Sequence, residues 1–135
     1  MDSGLTFDWD KVNIEDGLVN VELTELFEYF GEGKVWYRIS SSGEGLHVII
    51  SDMYYDPPTN KILLRPIPMN SKLQMEFRKK SLLECQGRFI SDIHRIRNGL
   101  RTSRVFVVKN GSKSSEWKPY YPQVQDSNFE LKRFK

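Results

Sequence analysis

The chain has 135 residues, with 20 Lys+Arg against 18 Asp+Glu, a length and balance that fit one soluble domain and argue against a multidomain enzyme. The single cysteine, Cys85, excludes an internal disulfide framework and a cysteine-rich zinc site, so an apolar core must hold the fold. No apolar run approaches the roughly 18–20 residues that span a bilayer, and Met1-Asp2-Ser3-Gly4 opens no charged-then-apolar leader, which predicts a cytoplasmic, unanchored protein.

The predicted elements follow hydrophobic period. Leu5, Phe7 and Trp9 alternate with Thr6, Asp8 and Asp10, the pattern of a strand with one buried face. Leu23, Leu26, Phe27 and Phe30 recur at helical spacing within 21–30, with Gly31 and Gly33 as stops. Val35–Ser40 and Leu46–Ser51 are rich in Val, Ile and aromatics around a Ser/Gly turn, and predict a hairpin. Tyr54–Asn60 contains Pro57 and Pro58, which lack a ladder donor, and is expected as a surface connection before a short strand over 61–66.

Ser71-Lys72-Leu73-Gln74 has the form of a capping box and predicts a helix from Lys72 to about Gln86, interrupted by Gly87. A second helix places Phe89, Ile93 and Ile96 inward and ends at Asn98-Gly99. Arg104–Lys109 reads as a final strand with Asn110-Gly111 as its turn. The expected architecture is α+β, a mixed β-sheet packed with helices in a compact single domain.

Charge is divided along the chain: residues 1–60 carry twelve acids and three bases, residues 61–135 seventeen bases and six acids. Two solvated faces of opposite sign would produce this, as would a surface that gathers cations beside a track for a polyanion. Two constellations bear on the choice. Asp8 and Asp10, at i and i+2 on a strand, project from one face, where their repulsion is relieved by a divalent cation or by solvent at a strand edge. Ser40-Ser41-Ser42-Gly43-Glu44-Gly45-Leu46-His47 combines glycines, hydroxyls and a histidine donor, suited either to an anion or to a plain hairpin turn. The run Arg78-Lys79-Lys80 lies on a predicted helix and reads as a solvated face or a nucleic-acid contact.

These residues carry a resemblance. Arg38-Ile39-Ser40-Ser41-Ser42-Gly43-Glu44-Gly45-Leu46-His47-Val48 is similar to the Ser-Gly-x-Gly-x-His segment of the archaeo-eukaryotic primase and primase-polymerase superfamily, and Leu5-Thr6-Phe7-Asp8-Trp9-Asp10 resembles its Asp-x-Asp strand. His47 follows Asp10 by 37 positions, room for one helix and one strand, the connection found in that family. Arg88-Phe89-Ile90-Ser91-Asp92-Ile93-His94-Arg95, followed by Gly99-Leu100-Arg101-Thr102, resembles a segment of small archaeal and viral members. The resemblance spans residues 5–118, with 119–135 as a basic and aromatic extension.

The resemblance implies metal-dependent nucleotidyl transfer of the DNA primase or polymerase kind in replication, using nucleoside triphosphates on a DNA template, with other replication proteins as possible partners and no membrane. Asp8, Asp10 and Asp92 would hold Mg2+ or Mn2+; Arg38, Ser42, Gly43, Gly45 and His47 would grip the triphosphate; Arg88, Arg95, Arg97, Arg101 and Arg104 would neutralise nucleic-acid phosphates. Asp92 alternatively serves as a structural partner of Arg88 or Arg95 at helical spacing. A non-catalytic nucleic-acid-binding protein on the same fold, and a metal-dependent nuclease, are the rival functions.

Overall fold

The computed structural model describes residues 4–40, 42–102 and 116–122. Within them the chain runs β1 (Thr6–Asp10), α1 (Gly17–Phe30), β2 (Val35–Ile39), β3 (Gly45–Asp56), β4 (Lys61–Pro66), α2 (Ser71–Lys80), α3 (Gln86–Arg97) and β5 (Lys118–Pro119). The strands form one sheet in the order β1-β3-β2-β5, with β4 paired to the distal half of β3. The class is α+β as expected, but every described strand pairing is antiparallel, where a mixed sheet was expected.

Strand parity decides what is buried. Phe7 and Trp9 of β1, Val35 of β2, and Leu46, Val48 and Ile50 of β3 share one face with Leu5 and are essentially free of solvent. Val19, Leu23 and Leu26 of α1 close over that face, joined by Met69 and Tyr120. Burying each of these large side chains stabilises the fold by roughly 1.5–3 kcal/mol. Tyr120 also donates its backbone N–H to Val35 O at 2.8 Å, and its side chain joins the core.

Four element boundaries depart from expectation. Helix α1 begins at Gly17, a turn early, because Asn13, Glu15 and Asp16 knit its entry: Asn13 N donates to Asp16 Oδ2 at 2.9 Å and Glu15 N to Asn13 Oδ1 at 2.8 Å. Strand β3 continues through Tyr54 and Tyr55 to Asp56, since the prolines lie beyond the last paired position, Asp56 opposite Lys61, where no ladder donor is needed. Helix α2 is capped by Asn70, whose Oδ1 accepts from Leu73 N at 2.8 Å, and not by Ser71.

The fourth departure matters most for the site. Helix α2 stops at Lys80, well before Gln86, and Gly87 lies in the first turn of α3 instead of breaking a helix. The freed segment runs to the bare edge of β1, where Asp8 N donates to Glu84 Oε1 at 2.9 Å and Cys85 N donates to Asp8 O at 3.0 Å. An exposed strand edge is thereby covered. The strand expected over 104–109 falls outside the described residues.

Candidate functional site

The sheet face opposite the core carries the polar residues singled out by the sequence. Register places Asp8 of β1 opposite His47 of β3, and His47 opposite Arg38 of β2, so three residues distant in sequence form one row across the sheet. Asp8 turns its backbone N–H and C=O outward to Glu84 and Cys85, which makes Asp8 and His47 a non-hydrogen-bonded pair, the type whose side chains approach most closely. His47 Nε2 stands 3.8 Å from Asp8 Oδ1. On its other side Arg38 Nε donates to His47 Nδ1 at 3.1 Å, so the neutral imidazole carries its proton on Nε2, facing Asp8. Arg38 is itself stacked on Trp117, its guanidinium carbon 4.5 Å from the ring centroid.

Asp10 follows Asp8 on the same face and is exposed at the end of β1, opposite Gly45. The Asp8 carboxyl is held above its ordinary range, first by burial and then by the charge of Asp10, against the opposing pull of Arg88 and Arg78. Two carboxylates on one sheet face, with Asp10 open to solvent, fit a hydrated divalent cation, which takes one or two protein carboxylates and completes its shell with water and phosphate oxygens. Among the described residues, no group of three or more His, Cys, Asp or Glu side chains is arranged to hold a metal ion.

The described residues of the Ser/Gly turn bond to one another. Gly43 N donates to Ser40 O at 2.9 Å, Glu44 N to Ser42 Oγ at 3.2 Å, and the Ser40 and Ser42 hydroxyls lie 3.0 Å apart, so these groups are already partnered within the turn. Gly43 has φ +77°, a backbone that favours glycine. Gly45 is required by packing: a Cβ there would lie 2.4 Å from Trp9 O and 3.2 Å from Asp10 Cα. Its lack of a side chain lets β1 and β3 close at the end that carries Asp10.

Asp92 does not join Asp8 and Asp10. It is completely buried, accepts from Arg78 Nη1 at 2.6 Å and has Arg95 Nε at 3.8 Å. Of the two structural partners read from helical spacing, Arg95 is thus an ion-pair neighbour. Arg78, also buried, pairs with Glu84 as well, although the run Arg78-Lys79-Lys80 reads in sequence as an exposed strip. Glu84 Oε2 further accepts from Arg88 Nη1 at 3.1 Å. Burial raises the Glu84 carboxyl, against the lowering pull of Arg88 and Arg78. A buried chain of charge thus runs Asp92–Arg78–Glu84 to the backbone of Asp8.

Glu84 was not singled out in the sequence. The sequence places it inside a helix running to about Gln86, where an acid between Leu83 and Cys85 reads as an ordinary helix residue until β1 is seen to need an edge partner. Two other acids near in sequence to the site elements lie elsewhere: Asp52 pairs with Lys34, and Glu76 lines a groove between α1 and α2.

The arginines expected on nucleic acid separate into distinct classes. Arg88 is largely buried and donates to Thr6 O at 3.1 Å as well as to Thr6 Oγ1 and Glu84, so it fastens α3 to β1 and does not offer itself to a polyanion. Arg95 donates to Arg101 O at 2.6 Å and is partly exposed. Arg97 and Arg101 are exposed at the end of α3 and just past it. Arg104 falls outside the described residues. Comparison with protein-family models, curated proteins and solved structures gives no match to the chain.

Proposed function

We propose that the chain is a minimal primase-polymerase-like domain that transfers nucleotides from nucleoside triphosphates on a DNA template with Mg2+ or Mn2+. The observation that carries this reading is the cross-strand row: the two motifs, separated by a helix and a strand in sequence, meet with Asp8 opposite His47, Arg38 behind the imidazole and Asp10 at the open end.

Asp8 and Asp10 would hold the cation. When bound, a divalent cation stabilises phosphate charge and lowers the pKa of an attacking hydroxyl. The chain's own residues contribute position. Arg38 holds the His47 ring with Nε2–H directed to the carboxylate side, where it can donate to a phosphate oxygen of an incoming nucleotide. Glu84 fixes the backbone of Asp8, and Asp92 acts beneath the site by holding Arg78. Ser42, Gly43 and Gly45 shape the turn and bring the strands together, and Arg38, buried against Trp117, orients the imidazole, leaving the grip on triphosphate chiefly to His47.

The engagement of Asp92 by Arg78 favours one second reading, a non-catalytic nucleic-acid-binding protein on the same fold. Incorporation of labelled nucleotide into a primed or unprimed DNA template separates the two. The catalytic reading expects divalent-dependent incorporation that falls by about a hundredfold or more in Asp8→Ala and Asp10→Ala, the scale of losing a principal electrostatic support of a transition state. DNA binding without incorporation under Mg2+ or Mn2+ selects the second reading, and shortening of the labelled strand without triphosphate identifies a nuclease.

A further inference from the structure

On the other face of β1 from Asp8, a groove of about 500 Å³ opens between α1 and α2, floored by Phe7 and Leu26. Helix α1 buries one stripe on the sheet and leaves a second uncovered, with Leu18, Val21 and Tyr29 exposed by 42%, 53% and 69%. Leu73 and Phe77 of α2 form the facing wall. The connection after α2 is tied back to α1, Glu22 accepting from Ser81 Oγ and from Leu82 N at 3.0 Å, which presents Leu82, 79% exposed, at the mouth. Apolar side chains gathered in one open groove are suited to taking up an apolar face of a partner.

Charge specifies the occupant. Glu22, Glu25 and Glu76 line the groove against one base, Lys80, so three carboxylates flank an apolar floor. Nucleic acid and anionic membrane surfaces are repelled by that rim. A second copy docked about a two-fold axis would set the same acidic wall against itself. The walls are helices with no open strand edge, which favours a helix laid in the groove over an added strand. We infer that this groove docks a basic amphipathic helix of a partner protein, about fourteen residues long to match the roughly 21 Å of α1, with apolar anchors at i, i+3 or i+4, and i+7 between lysines or arginines.

The test uses the full chain and a fluorescein-labelled helical peptide of about fourteen residues made of leucine and lysine in that pattern, with a leucine-glutamate peptide as its counterpart. The expected result is binding of the lysine peptide at low salt, with the glutamate peptide at least about tenfold weaker. Glu25→Lys combined with Glu76→Lys, both at exposed positions, should weaken the lysine peptide by about tenfold or more, as should Val21→Asp, with hydrogen-exchange protection confined to α1, α2 and residue 82. Circular dichroism verifies that each variant is folded, and the double lysine variant carries the test should Val21→Asp lose its fold. Equal binding of the two peptides, unchanged binding by the folded charge-reversed chain, or protection on the β1–β3 face would overturn the proposal. So would dimerisation of the free chain that Val21→Asp abolishes, since the second copy would then be the occupant.

Discussion

Asp8 places the tension of the site in a single side chain. Burial and the neighbouring Asp10 hold its carboxyl above the ordinary range, so the folded chain binds that proton more tightly than the unfolded chain does. Its contribution to stability is therefore fully present below the unfolded carboxylate value of about 4 and is lost as pH rises through the higher folded value. Asp8→Asn removes the ionisation while keeping the size of the side chain. The variant is expected to melt a few degrees above the native chain at pH 7, with the gain shrinking toward zero as pH falls below about 4, in thermal melts across that range. Loss of stability at pH 7, or a gain independent of pH, would contradict the reading. Such a gain would mean that native Asp8 lowers stability at neutral pH, the exchange of stability for chemistry common at functional sites.

At the scale of elements, the glycines and the buried ion pairs make separable predictions. Gly45→Ala drives a methyl into the backbone of β1, which cannot yield as a flexible side chain would, and is expected to cost roughly 1–3 kcal/mol and to displace Asp10. Gly43→Ala meets open space and suffers only from its positive φ, a cost of roughly 1–2 kcal/mol at the turn. Chemical denaturation ranks the two, and amide shifts distinguish them: Gly45→Ala should perturb Asp8 and Asp10, Gly43→Ala only the turn. Asp92→Ala leaves Arg78 buried without one of its carboxylates and is expected to cost about 3–5 kcal/mol in the same denaturation. A metal ligand at Asp92 would instead show a loss of metal affinity with little loss of stability. These elements also explain what the sequence could reveal. Strand parity made the Asp8 and His47 face legible, because period two fixes the side on which a residue lies once its strand is recognised. The role of Arg78 and Glu84 was not legible, since their partners, Asp92 and the Asp8 amide, come from other elements and local charge pattern cannot distinguish a buried arginine from an exposed one. The end of α2 was hidden for the same reason: the edge of β1 draws the chain out of the helix, and no local breaker announces it.

For the whole molecule, the division of charge between the two halves of the sequence resolves only partly into surfaces. The acids of α1 flank the groove with α2, Asp8 and Asp10 lie on the opposite side of the sheet, and part of the basic excess is buried or fastened in Arg78 and Arg88. Among the exposed cations of the described residues, Arg97 and Arg101 lie together at the end of α3, where the proposed function places nucleic-acid phosphates. Phosphate contacts release counterions, so on the proposed function the logarithm of a DNA-binding constant should fall linearly with the logarithm of salt concentration. Arg97→Ala and Arg101→Ala are each expected to reduce that slope by about one and to weaken binding alike across DNA sequences, the behaviour of backbone contacts. Arg88→Ala should leave the slope unchanged and lower the melting temperature, because its guanidinium holds Thr6 and Glu84 in place. Fluorescence anisotropy over a salt series, with a melt of each variant, checks both halves of the expectation. An unchanged slope in both surface variants would move the nucleic-acid track away from α3, whereas a reduced slope in a fully stable Arg88→Ala would return that arginine to it.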